Sequence, residues 1–74
     1  MKLNKDNKHE VRQGDFLRFS YGDCYRVNTI IHGIYRNAIN FTLQDVKTKQ
    51  TIYSMPSSEC YGAEIIRRED FCND

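Results

Sequence analysis

The sequence predicts a small all-β domain, and three observations carry that prediction. Apolar and polar residues alternate over short runs: Leu17, Phe19 and Tyr21; then Tyr25, Val27, Thr29 and Ile31; then Ile39, Phe41 and Leu43. A period of two is what a half-buried strand requires, because successive side chains point to opposite faces of a sheet. Glycines and polar clusters interrupt these runs at Gly14, Gly22, Gly33 and Lys47-Thr48-Lys49, each marking a turn. The length of 74 residues allows one domain with a thin core. Five tyrosines and four phenylalanines carry much of that core, each ring burying on the order of 150–250 Å².

Taken in order, residues 1–10 are rich in Lys and Asn and read as a flexible N-terminal arm, since little in them can offset the entropy of ordering. The domain proper is expected over 11–72. Gln13-Gly14-Asp15 is a turn, and Phe16 to Tyr21 the first strand. Gly22 turns the chain into a second strand, Cys24 to Ile31, with Arg26, Asn28, Ile30 and His32 on the side away from Tyr25, Val27, Thr29 and Ile31. Tyr35-Arg36-Asn37 is a connection or a bulge, and Ala38 to Val46 the third strand. Lys47-Thr48-Lys49 closes a hairpin into a fourth strand, Gln50 to Met55, which Pro56 stops because it lacks a ladder N–H. Ser57 to Tyr61 suits one 3₁₀ or α turn with a serine cap, and Ala63 to Arg68 a fifth strand. A helix from Glu59 to Phe71 is the competing reading, and Gly62 counts against it. Phe71 is expected to cover one end of the core.

Five short strands with a one-turn helix before the last resemble an SH3-like small β-barrel, the class that includes Tudor and KOW modules. The resemblance spans roughly residues 11–71 and is one of architecture; the chain has no Trp, so the paired-Trp ligand groove of SH3 domains has no counterpart. It implies a single five-stranded barrel. Small barrels serve unrelated functions, so the likeness bears on fold alone.

Charge is nearly balanced, eleven Lys and Arg against ten Asp and Glu for a net +1. The front of the chain is mildly basic and residues 57–74 are acidic. A dedicated phosphate-backbone binder carries a stronger basic excess. The absence of a long apolar run and of a signal-like N-terminus gives a cytoplasmic, membrane-free expectation. Cys24, Cys60 and Cys72 are an odd, widely spaced set that suits reduced thiols, with a Cys60–Cys72 bridge in an exported protein as the alternative.

No pattern demands catalysis. His9, His32, Cys24, Cys60 and Cys72 lack the paired spacing of a zinc site, Ser54, Ser57 and Ser58 cluster as turn residues, and no glycine run cradles a phosphate. The expectation is therefore no enzyme, no cofactor and no metal. Tyr and Arg are more numerous than a small core needs, and they anchor protein interfaces. The function expected is a binding module acting through protein–protein contacts, an adaptor or a phage or mobile-element inhibitor of a host protein. Tyr35, Arg36, Tyr53 and Tyr61 are its candidate contact residues because they lie at loops and strand ends. The alternative is nucleic-acid binding through Arg12, Arg18, Arg26, Lys47 and Lys49 with tyrosines stacking on bases. A homodimer through an exposed edge strand is a further option.

Overall fold

The computed structural model describes residues 1–34 and 38–71. The connection expected at Tyr35-Arg36-Asn37, and Cys72 with the disulfide it would form, lie outside the described residues.

β1 (Phe16–Arg18), β2 (Cys24–His32), β3 (Ile39–Asp45), β4 (Thr51–Pro56) and β5 (Glu64–Ile66) form one antiparallel sheet in the order β4-β3-β2-β1-β5. The expected all-β class and five strands are present, but the sheet is open: β4 and β5 are its two ends and do not pair with each other. The helix considered over Glu59–Phe71 does not form. That stretch is a 3₁₀ turn at Ser57–Cys60, then β5, then a 3₁₀ turn at Arg68–Asp70. No serine caps the first of these; Pro56 stands at the cap position without a side-chain hydrogen bond. No helix among the described residues is long and apolar enough to cross a membrane.

Local chemistry sets the strand ends. β1 is shorter than the alternation suggests because the turn begins at Phe19: its N–H donates to Asp23 O (2.9 Å), and the Gly22 N–H returns to Phe19 O (2.9 Å). Gly22 has φ +100°, which a residue with a Cβ adopts at a cost. The β3–β4 hairpin is tied by Asp45, whose Oδ1 accepts the N–H groups of Lys47 (2.7 Å) and Thr48 (3.1 Å). Gly33 closes the β2–β3 hairpin where a Cβ would lie 2.8 Å from that of Ala38.

β3 alternates strictly, burying Ile39, Phe41 and Leu43. Its two neighbours do not. β2 shifts register between Val27 and Thr29, so that Val27 faces Leu43 while Ile30 faces Phe41. β4 shifts at the same level, with Ile52 facing Leu43 and Met55 facing Phe41. Each bulge lets two apolar residues three apart reach one face. This corrects the expected faces of β2: Ile30 packs on the core, whereas Thr29 and Ile31 are exposed. On β4 the extra pair is Tyr53-Ser54, and Ser54 takes φ +55° to make the kink.

Within residues 1–10, read from sequence as a flexible arm, Leu3 and Asn7 are buried and the rest are exposed or half-buried. Leu3 is 1% exposed, alongside Leu17, Phe41 and Ile65 in the core. Leu3 N–H donates to Ala63 O, Gly62 N–H to Leu3 O and Ile65 N–H to Met1 O, each at 2.8 Å, so the segment covers the outer edge of β5. The asparagines that suggested disorder build the turn that follows. Asn7 Nδ2 donates to Lys2 O (2.8 Å), and its Oδ1 accepts Asn4 N–H (2.8 Å). Asn4 Oδ1 in turn accepts Asp6 N–H (2.8 Å) and Asn7 N–H (3.1 Å).

Candidate functional site

Where the sheet stays open, the β1–β2 hairpin faces β4 and the Ser57–Cys60 turn across a groove of about 370 Å³. Leu43 lies at its lining. Phe19, Tyr21 and Tyr25 line one side, and Ile52, Met55, Pro56, Glu59 and Cys60 the other. The early turn at Phe19 creates the aromatic side: with β1 ended, the rings of Phe19 and Tyr21 sit at the rim of the core rather than within the sheet. Phe19 and Tyr21 stack at 5.4 Å between centroids with 18° between planes, and Tyr25 meets Phe19 edge-on at 5.6 Å and 84°. Tyr21 is 69% exposed.

The electrostatics are one-sided. Glu59 is the only charged residue among the described residues that line the groove, and no Lys or Arg does. Burial and the nearby Tyr21, Asp23 and Asp45 raise the Tyr25 phenol above its ordinary range. Burial, reinforced by Glu59, pushes the Cys60 thiol up to about 11. Both groups are therefore protonated at neutral pH, and Cys60 is held as a small apolar residue with its Sγ 3.9 Å from Pro56 O. No histidine lines the groove, and no group of metal-ligating side chains occurs among the described residues. The surface can bind apolar and cationic groups, and its thiol is held protonated beside the Glu59 carboxylate.

Of the residues expected to contact a partner, the two that are described, Tyr53 and Tyr61, do not line this groove. Tyr53 is 78% exposed on the β4 bulge, and Tyr61 lines a smaller groove with Lys8, Ile39 and Ser57. Tyr35 and Arg36 lie outside the described residues. Among the expected cations, Arg18 is paired with Glu64, and Arg12 is exposed, its backbone N–H bonded to Asp15 Oδ2 (2.9 Å). Lys47 is exposed in the hairpin turn. Arg26 donates to Asn28 Oδ1 and shares with Lys49 a second groove, beside Arg68. Sequence reading did not place Phe19, Tyr21 and Tyr25 among the candidate contact residues because their alternation already accounts for them as strand residues. The available signal was three aromatics within seven residues of a Gly turn.

No protein-family profile matches this chain, and no curated protein or solved structure matches it.

Proposed function

We propose that this protein is a non-catalytic binding module that holds an extended segment of a partner protein in the groove between Phe19, Tyr21 and Tyr25 and the β4 strand. The observation that carries this reading is the aromatic wall itself, three rings packed on one another with Tyr21 left in solvent. Tyrosines held this way are typical anchors of protein interfaces, offering large area at little cost in side-chain entropy. Charge favours a basic segment: a groove with a carboxylate, no cation and exposed ring faces accepts Lys or Arg better than Asp or Glu. A module of this kind serves as an adaptor or as a stoichiometric inhibitor of its partner. The strand order, with a 3₁₀ turn joining the two outermost strands, supports the SH3-like class.

Short extended peptides with a fixed central arginine between randomised apolar positions test the reading against the same set with aspartate. Arginine peptides are expected to bind and to shift the amide signals of Phe19, Tyr21, Tyr25 and Met55. Tyr21→Ala should cost about 2 kcal/mol of binding, the size of an interface anchor, and Glu59→Lys should weaken arginine peptides selectively. Equal binding of both sets, or binding indifferent to Tyr21→Ala, rejects the groove.

A further inference from the structure

On the face of the sheet turned away from the core lies a second groove of about 370 Å³, bordered by Phe16, Arg26, Lys49, Arg68 and Phe71. Its base follows from register. Gln44, Arg26, Phe16 and Ile66 stand opposite one another across β3, β2, β1 and β5, so a cation and an aromatic ring are neighbours on one face. Phe71, expected from sequence to cap the core, instead stacks on Phe16 at 3.7 Å with 9° between planes. Gly14 lets Arg68 approach; a Cβ there would sit 3.2 Å from Arg68 Cδ.

Charge is concentrated here in a chain that is otherwise balanced. Arg26, Lys49 and Arg68 have no ion pair to any acid among the described residues. Asp45 is the one carboxylate at the groove among those residues, and its Oδ1 is occupied by the N–H groups of Lys47 and Thr48. Gln44 Nε2 donates to Lys49 O (3.2 Å), fixing the backbone that carries the lysine.

We infer that this groove binds a nucleotide, with its phosphate among Arg26, Lys49 and Arg68 and its base against the Phe16–Phe71 stack. Guanidinium groups match phosphate oxygens in charge and geometry, and every base offers a π-face to an aromatic ring. The volume is of the size that encloses small ligands. A lipid headgroup or an acidic peptide would use the cations and leave the rings without a partner. Of the five cations expected from sequence to contact nucleic acid, this site uses Arg26 and Lys49; it adds Arg68 and does not use Arg18, which is spent on Glu64. The chemistry is shared by a free nucleotide and by one residue of a single strand.

Amide-detected titration of the full chain with adenosine monophosphate, a short oligothymidylate and inorganic phosphate tests the inference. Both nucleotide probes should shift Gly14, Phe16, Arg26, Lys49, Arg68 and Phe71, with phosphate alone binding much more weakly. Tighter binding of the oligonucleotide assigns the site to single strands, and binding of the monophosphate alone assigns it to free nucleotide. Arg68→Glu and Lys49→Glu should each weaken nucleotide at least about tenfold. Phe71→Leu, which keeps an apolar side chain, should weaken nucleotide about tenfold and leave phosphate unchanged. Lys5→Glu alters net charge equally at an exposed position outside the groove and should change nothing. Three results overturn the inference: no shift with either nucleotide, phosphate binding as tightly as nucleotide, or Lys5→Glu weakening binding as much as Arg68→Glu.

Discussion

Arg67 Nη1 lies 2.6 Å from Asp15 Oδ2, joining the residue after β5 to the turn that launches β1. The same nitrogen donates to Glu10 O (2.9 Å), and the same carboxylate oxygen accepts Arg12 N–H. One ion pair thus ties three stretches of chain: the end of the N-terminal segment, the Gly14 turn and the C-terminal strand. Asp15 also holds β2 through its backbone, its carbonyl accepting Val27 N–H at 2.8 Å.

Asp15→Ala should therefore destabilise strongly. The Asp15 side chain is 4% exposed, and its loss strands a partly buried guanidinium and the Arg12 N–H, at a cost of about 2–4 kcal/mol. Arg67→Lys keeps the charge, but its shorter side chain stops short of the point where Arg67 Nη1 meets both Glu10 O and Asp15 Oδ2, and should cost about 1 kcal/mol. Urea unfolding measures both; equal, small effects would show the pair to be peripheral.

The N-terminal segment is testable as part of the domain. Leu3→Ala removes a fully buried side chain and should cost about 2–4 kcal/mol, a large share of the stability of so small a fold. Removing residues 1–3 should in addition speed hydrogen exchange at Ile65, whose N–H is held by Met1 O. A truncated chain with unchanged melting and unchanged Ile65 protection would return these residues to the status of an arm.

Glu64 titrates below the usual carboxylate range because it accepts a hydrogen bond from Arg18 and feels its charge. A carboxylate depressed in the folded state adds stability above its unfolded pKa and loses it as pH falls through the folded value. Both groups are exposed, so the effect is modest and screened by salt. Carboxyl carbon shifts should show a Glu64 midpoint below that of the other glutamates, rising to the ordinary range in Arg18→Ala. An unchanged midpoint in that variant would exclude Arg18 as the cause.

Cys60 gives the opposite pH dependence. Its folded thiol ionises near 11 and an unfolded one near 9, so between these values the unfolded chain holds fewer protons and stability falls as pH rises. Cys60→Ala should lessen that alkaline decline, leaving the part that the raised Cys24 thiol and Tyr25 phenol contribute. In a Cys72→Ser background at pH 8, iodoacetamide should modify half-buried Cys24 before buried Cys60. Faster modification of Cys60 would mean that the groove wall opens.

Much of the sheet was legible because its cause is local. Ile39, Phe41 and Leu43 alternate over an unbroken strand, Gly22 and Lys47-Thr48-Lys49 carry their own turn chemistry, and Pro56 ends the ladder it enters. Composition showed more Tyr and Arg than a small core needs, but the tyrosines expected at the contact face, Tyr53 and Tyr61, do not line the aromatic groove.

Three features came only with the tertiary structure. A bulge shifts register by one residue, and nothing within β2 or β4 announces one; Asn28 and Tyr53-Ser54 are placed by what Leu43 and Phe41 require on either side of Thr42. Leu3 is a lone apolar residue among Lys and Asn, and its burial depends on Ala63 and Ile65 at the far end of the chain. The two grooves depend on where strands stop and on which distant residues share a face, Tyr25 with Met55 on one side and Arg26 with Arg68 on the other. Periodicity reports which face a residue occupies only while register is unbroken. Where the sheet bends, ends or receives a distant segment, the deciding contacts are non-local, and only the folded chain supplies them.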